Sequence, residues 1–391
     1  VTVDNKSIYP KSDIVLENGL KMSDIYCEAI RVLVNENTKI QNNKNKKEIL
    51  KPFEIKKKLD EYVIGQEDAK ITLAVSAYNH YKRINQTEGD VELQKSNVLL
   101  VGKSGSGKTL LVETLAKILD VPFVGVDATD FTPTGIVGRS TEDILIDLLN
   151  KSCGDHERAE RGIVFIDEID KIANTENNPS IIRKDGAIAS EVQSCFLKLL
   201  EGKESSFNFK KDNFTFNTKN VLFICGGAFT GIENILDTSS FRKVGFNNTN
   251  DFEIKSPIKN KVKSTDIIKY GLMPELVGRI PVIVNLHSLS INDLIKILTE
   301  PKNALVKQYQ KLFNMDNVEL EFTKDALETI ANIAISTETG ARGLRTIIED
   351  IITKAIYDVT LNESIKKCII TSNAILHKEN PQMIFDKELA I

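Results

Sequence analysis

Val98-Leu99-Leu100-Val101-Gly102-Lys103-Ser104-Gly105-Ser106-Gly107-Lys108-Thr109-Leu110 is the stretch on which the fold turns. Four apolar residues suit a short buried strand. Gly102–Thr109 then fits G-x-x-x-x-G-K-[ST] in full, and Leu110–Leu119 continues with helical periodicity. A strand running through a glycine-rich turn into a helix lets backbone N–H groups curl round phosphate oxygens, and the helix N-terminus adds partial positive charge. Lys108 is placed to reach the terminal phosphates of a nucleotide, and the Thr109 hydroxyl to join the shell of a Mg²⁺ ion. Gly102, Lys103, Ser104, Gly105, Ser106, Gly107, Lys108, Thr109 and Leu110 are therefore the expected nucleotide-binding run.

The second half of such a site is expected at Ile163-Val-Phe-Ile166-Asp167-Glu168, a buried strand whose end presents two adjacent carboxylates 58 residues beyond Thr109 (167 − 109). Strands that end in solvated acids are common. Paired with the phosphate loop, Asp167 is expected to hold Mg²⁺ through water and Glu168 to polarise the attacking water. Asp170 and Lys171 read as surface residues.

Further outward, the apolar runs Asn97–Val101, Phe123–Val126, Ile163–Ile166, Val221–Cys225 and Val282–Leu286 alternate with the helical patterns Thr109–Leu119, Glu142–Lys151 and Ala189–Leu200. This alternation predicts an α/β fold, a parallel sheet flanked by helices on both faces. Another helix is expected over Asp68–Arg83. After Leu286 the pattern becomes mainly helical, with helices at Ile291–Gln310, Lys324–Ser336 and Gly343–Thr360, and short strands at Val318–Phe322 and Lys367–Thr371. Met22–Val34 could form one amphipathic helix, followed by an Asn/Lys/Gln-rich linker. The expected division is 1–52, an N-terminal segment and linker of unknown role; 53–286, the large α/β domain; and 287–391, a smaller, mainly helical domain. No internal repeat is visible.

Composition narrows the function. The 391 residues carry 51 Lys and Arg against 55 Asp and Glu, a formal net charge of −4. That balance argues against a protein whose main task is gripping nucleic acid, and with no Trp and 6% aromatics, base-stacking platforms are not expected. Cys27, Cys153, Cys195, Cys225 and Cys368 form no C-x-x-C pair, so no zinc is expected. Scattered thiols suit a reducing compartment, either the cytoplasm or the matrix-like interior of an organelle. No run approaches the ~20 apolar residues of a membrane helix, and Val1–Ile14 lacks a signal-peptide core, so no membrane association is expected. A start at Val1 rather than Met reads as a processed or trimmed form.

Tyr62-Val-Ile-Gly-Gln66, Asp167-Glu168, Gly278-Arg279 and Gly340-Ala-Arg342-Gly-Leu-Arg345 together resemble the motifs of AAA+ ATPases. Ala77-Tyr-Asn-His-Tyr-Lys-Arg83, Val91-Glu-Leu-Gln-Lys-Ser-Asn97, Arg161–Lys171, Leu222-Phe-Ile-Cys-Gly-Gly-Ala-Phe229 and Pro301-Lys-Asn-Ala-Leu305 are similar to segments of the ClpX-type protein unfoldases. The likeness runs from about residue 53 to the region of Thr371. It implies an AAA+ P-loop ATPase core with a small helical domain, using ATP and Mg²⁺, assembled as a homo-hexameric ring. Unfolded or tagged proteins would be its substrates and a ClpP-type peptidase its partner.

By that resemblance Val63 and Ile64 would line the adenine pocket. Arg279 would be the finger offered to a neighbouring subunit's γ-phosphate, and Arg342 a sensor of the same subunit's nucleotide. Arg345 is read as structural. Gly135-Ile136-Val137-Gly138 stands where the family carries its first pore loop, with Ile136 replacing an aromatic. An apolar side chain can still wedge against a polypeptide, with less area and no flat ring. Ile182–Gln193, at the second pore loop, lacks the family's usual core, and the basic substrate-entry insertion has no clear counterpart between Gly202 and Asn217. Val244-Gly245-Phe246 stands where the family displays its peptidase-docking tripeptide. The family's N-terminal four-cysteine zinc domain is expected to be lacking, since residues 1–52 contain only Cys27.

Two other readings remain at this stage. A remodelling ATPase acting on specific partners without degradation would share every motif above. A nucleic-acid-handling AAA+ protein would need a basic groove, and no dense Lys/Arg stripe occurs apart from Lys56–Lys58 and the linker.

Overall fold

Every residue of Val98–Val101 is buried, and its side chains alternate between two different cores. Val98 and Leu100 join one cluster, Leu99 and Val101 another, as the period of two along a strand requires. The same alternation repeats in the neighbouring strands, which makes this a sheet covered on both faces.

The computed structural model describes residues 2–3, 6–7, 49–86, 91, 93–131, 139–174, 186–209, 212–240, 261–362, 364–377 and 379–385. The chain divides into two units, Val1–Ile49 and Leu50–Ile391. In the first, β1 (Thr2–Val3) pairs antiparallel with β2 (Lys6–Ser7). The second begins with α1 (Pro52–Asp60), α2 (Glu67–Asn85), β3 (Val98–Val101), α3 (Lys108–Leu119), β4 (Phe123–Asp127), α4 (Thr141–Lys151), α5 (His156–Glu160) and β5 (Ile163–Asp167). There follow α6 (Gly186–Glu201), β6 (Glu204–Phe209), β7 (Asp212–Asn217), β8 (Leu222–Gly227), α7 (Ile232–Ser240), α8 (Ser264–Tyr270), α9 (Pro274–Gly278) and β9 (Val282–Asn285). The remainder is α10 (Ile291–Thr299), α11 (Leu305–Met315), β10 (Glu319–Phe322), α12 (Lys324–Ser336), α13 (Ala341–Leu361), β11 (Ile365–Ile370), α14 (Ser372–Leu376) and β12 (Gln382–Phe385).

The main sheet has the order β4-β5-β8-β3-β9, with every pairing parallel. On one face Ile163, Phe165, Leu222 and Ile224 join Val98 and Leu100 against α1, α2 and α3. On the other, Val164, Ile166, Phe223 and Cys225 join Leu99 and Val101 against α4, α6, α8 and α9. Burial pushes the Cys225 thiol up to about 12, so it packs as an apolar group. β3 is flanked by β8 and β9, and β5 lies beyond β8, so the carboxyl ends of β3 and β5 open on one crevice. That is where ligands bind in such sheets.

A third core is built wholly from residues between Leu294 and Ile375. Here β10 pairs parallel with β11, and β11 antiparallel with β12. The helix expected over Ile291–Gln310 is instead two, α10 and α11. Pro301 has no N–H to continue the ladder, and the chain turns there, with Ala304 N–H closing on Pro301 O at 3.1 Å. The hairpin β6–β7 was not expected from the sequence. Its Phe207 and Phe216 cover the second core beside α4 and α5. β12 was not expected either.

Met22–Val34, Gly135–Gly138, Lys210, Lys211 and Val244–Phe246 lie outside the described residues. Among the described residues no helix is long and apolar enough to cross a membrane. Phe165, with 1% exposure, is among the largest fully buried side chains of the sheet. Phe165→Ala should cost about 3–5 kcal/mol, read as a lower urea midpoint at unchanged slope. An unmoved midpoint would contradict the packing described.

Candidate nucleotide-binding site

The loop after β3 is anchored at its base by Gly102 N–H, which donates to Gly227 O at the end of β8 (3.1 Å). From there the chain curls to Gly107, the residue that caps α3. Gly105 has a φ of +75°, and a Cβ on it would lie 2.7 Å from the Thr339 carbonyl oxygen. Only glycine satisfies both constraints. Lys108 Nζ donates to Gly102 O (2.7 Å) and Lys103 O (3.2 Å), folded across the loop it belongs to. Burial holds its pKa below the ordinary lysine value, with Asp167 and Asp170 pulling the other way. The buried Ser106 hydroxyl oxygen has no hydrogen-bond partner. A cradle with a retained cation and an unused hydroxyl suits the phosphates of a nucleotide.

Across the crevice, β5 delivers its two carboxylates. Asp167 Oδ2 accepts from Thr109 Oγ1 (3.2 Å), and Asp167 Oδ1 accepts from Glu168 N–H (2.9 Å). Glu168 sits at φ 56°, an uncommon conformation for a residue with a side chain, which turns it out of the strand direction. Burial raises its pKa above the usual glutamate value, and the nearby Asp127 carboxylate adds to the shift, as do Asp167 and Asp170. Paired hydroxyl and carboxylate oxygens at the strand ends form a hard-oxygen donor set that fits Mg²⁺.

Asp170 does not lie on the surface. It is 5% exposed, and its carboxylate accepts from Ala228 N–H and Phe229 N–H (both 3.2 Å), tying the turn after β8 to the end of β5. Local sequence gives no sign of this contact, because its partners lie 58 and 59 residues away.

Three further groups were expected here. Arg342, in the first turn of α13, donates from a guanidinium nitrogen to Ser104 Oγ (3.2 Å), so the small helical region reaches the phosphate loop directly. Val63 is packed into the core beneath α1–α3, with Ile64 half-buried beside it. Arg279 stands elsewhere. Asn97, the residue before β3, donates from Nδ2 to Arg279 O (2.7 Å), which fixes Arg279 at the amino end of β3. The four residues of β3, about 13 Å, separate that end from the phosphate loop. The Arg279 side chain is 56% exposed, and its guanidinium pairs with Glu201 (3.3 Å). Arg345 pairs with Glu349 one turn along α13 (2.7 Å).

Gln66 closes the Tyr62–Gln66 motif, and nothing in the local sequence marks it as a site residue. It is buried at the start of α2, and its side-chain amide donates to Ser106 O (3.5 Å).

Residues 93–283 match the AAA domain (Cdc48 subfamily), and residues 289–371 match the C-terminal, D2-small domain of ClpB protein. The chain is 44% identical over 355 residues to the ATP-dependent Clp protease ATP-binding subunit ClpX of Borrelia duttonii (strain Ly), covering 88% of this chain and 82% of the relative. It is 45% identical over 342 residues to the ClpX of Treponema denticola, covering 83% and 81% respectively. With its strand-end carboxylates facing a phosphate loop inside that coverage, the chain belongs to the ClpX family of AAA+ ATP-binding Clp protease subunits, and is an ATPase rather than a peptidase.

Proposed function

We propose that this chain works as an ATP-driven protein unfoldase in a ring of identical subunits, threading polypeptides through a central pore and delivering them to a ClpP-type peptidase. The observation that carries the reading is the split of the two arginines: Arg342 reaches the chain's own phosphate loop, while Arg279 stands at the far end of the sheet. A cation so placed serves a site on another copy.

Each subunit's contribution follows from its geometry. The backbone N–H groups of Gly102–Thr109 bind and orient the phosphates of ATP, with Val63 and Ile64 closing on the base. Lys108 swings from its loop carbonyls onto the terminal phosphates, and Arg342 adds a second charge from the small domain. Thr109 and Asp167, the latter through water, would hold Mg²⁺, whose charge offsets that of the phosphate oxygens. Glu168 takes the proton of the attacking water, a role its raised pKa suits better than that of an ordinary carboxylate. Arg279 of the adjoining copy stabilises charge developing on the transferred phosphoryl group. Gly135-Ile136-Val137-Gly138 would push on the substrate, and Val244-Gly245-Phe246 would dock the peptidase.

Glu168→Gln should retain ATP binding and lower its turnover at least about 100-fold. Because the base works only when ionised, wild-type turnover should fall with acid along a limb placed above the ordinary glutamate value of 4.5. The residual activity of Glu168→Gln should lack that limb; a limb shared by both proteins would remove Glu168 from the role.

The placement of Arg279 is tested by mixing two inactive proteins, Arg279→Ala and Glu168→Gln. In random rings about a quarter of sites combine an intact Glu168 with a neighbour's intact Arg279, so turnover should return to a comparable fraction of wild type. No recovery on mixing would place Arg279 in its own subunit's chemistry or outside it altogether.

For the unfoldase reading itself, the decisive measurement is ATP-dependent loss of fluorescence from a folded, tagged reporter, with and without a ClpP-type peptidase. Unfolding should occur with ATP, fail in Glu168→Gln, and lead to degradation only with the peptidase; Phe246→Ala should abolish the degradation and spare the unfolding. ATP hydrolysis with no unfolding would sink the proposal.

A further inference from the structure

Between α1 and α2 the chain runs as a short strap, Glu61–Gln66, that touches the small helical region at both ends. At one end Glu61 O accepts from Lys302 N–H (3.0 Å), and the Glu61 carboxylate pairs with Lys302 Nζ (2.7 Å). At the other, the Gln66 carboxamide closes on a single residue. Its Nε2 donates to His287 O (2.7 Å), and its Oε1 accepts from His287 N–H (2.9 Å). The same Nε2 also reaches Ser106 O of the phosphate loop (3.5 Å).

His287 is a consequential place for such a grip. The preceding residue, Leu286, still belongs to the sheet, its N–H donating to Val101 O (2.8 Å). Three residues later Ser290 caps α10, the first helix of the small region. His287 therefore opens the connection through which any rotation of that region must pass. A carboxamide that both donates to and accepts from one residue's main chain fixes that residue in position and orientation, as a rung of a ladder would. Gln66 is 7% exposed and is itself set at the start of α2 with a φ of 58°. Losing the amide would leave His287 N–H and O without their partner and remove the donor to Ser106 O.

We propose that Gln66 is a positioning residue for the ATP cycle, its carboxamide linking the phosphate loop at Ser106 to the pivot of the small region at His287. Movement of the loop between nucleotide states is passed through Gln66 to the residue about which the small region turns. Arg342, through Ser104, and the close approach of Gly105 to Thr339 form a separate link between the same two regions, at other residues of the loop. The mechanical consequence rests on the unfoldase reading above, while the pivot itself is measurable without it.

The test uses the full chain, Gln66→Met, which keeps the shape and removes the hydrogen bonds to His287 and Ser106, and Gln66→Glu, which keeps the acceptor for His287 N–H and sets a carboxylate against His287 O. Spin labels at the exposed Lys151 and Lys354, after substitution by Cys in a background cleared of other reactive thiols, report the distance between the two regions in ADP and in a non-hydrolysable ATP analogue. Wild type should show two distinct distance distributions. Gln66→Met should merge them into one broad distribution, Gln66→Glu should broaden them as well, and both should melt within a few degrees of wild type. The KM for ATP should stay within about threefold, since no contact to the nucleotide is lost. Reporter unfolded per ATP hydrolysed should fall about tenfold, the scale set by two buried hydrogen bonds.

Wild-type distributions in both variants would overturn the proposal, as would a KM that rises in step with the loss of unfolding. If wild type hydrolyses ATP but unfolds nothing, the unfoldase reading fails, and the distance measurement still decides the role of Gln66.

Discussion

The whole site depends on the register of three parallel strands. β8 lies between β3 and β5, with Val101 opposite Gly227 and Ile166 opposite Cys225, so the phosphate loop and the acidic strand end emerge at the same height. Thr109 and Asp167 can meet across the gap only because the end of β8 carries no side chain. A Cβ on Gly226 would come within 2.7 Å of the Phe165 ring and 3.1 Å of Asp167 Oδ1. A one-residue slip of β8 in one direction would bring the Cys225 side chain into that space, and in either direction would reverse which core each of its residues feeds. The catalytic geometry and the hydrophobic packing are thus set by one pairing pattern.

Much of this was legible in the sequence because its signals are local. A strand, a glycine-rich turn and a helix in immediate succession specify the phosphate loop, and all five strands of the main sheet stand where apolar runs place them, within a residue or two at each end. The missed features depend on partners distant along the chain or on subtler local chemistry. Asp170 reads as one more acid after a strand until Ala228 and Phe229 are found donating to it. Gln66 closes a recognisable motif, yet nothing nearby announces its contact with His287, 221 residues on. The β6–β7 hairpin did leave a local trace, Phe alternating with small polar residues on both sides of the Lys210-Lys211 pair. The proline that divides α10 from α11 was also in plain view, and its missing N–H outweighs the amphipathic pattern that continues across it.

Charge is distributed to match. At the carboxyl end of the sheet, Asp127, Asp167, Glu168 and Asp170 gather near Lys108, and the mutual repulsion of the acids helps to keep Glu168 basic. At the amino end, the Arg279 side chain pairs with Glu201 and remains more than half exposed. An ion pair that open to solvent is weak and easily exchanged for a stronger anion. Glu201 can therefore park the guanidinium without competing seriously for it.

Pro301 has a consequence beyond ending a helix. By breaking the run it creates the turn from which Lys302 N–H reaches Glu61, so the small region is held to the strap at two separated points, His287 and Lys302. Two fixed points define a line. Translation and twisting across that line are resisted at both points, whereas rocking about it is opposed by the Arg342–Ser104 hydrogen bond, much as a single latch holds a door on two hinges.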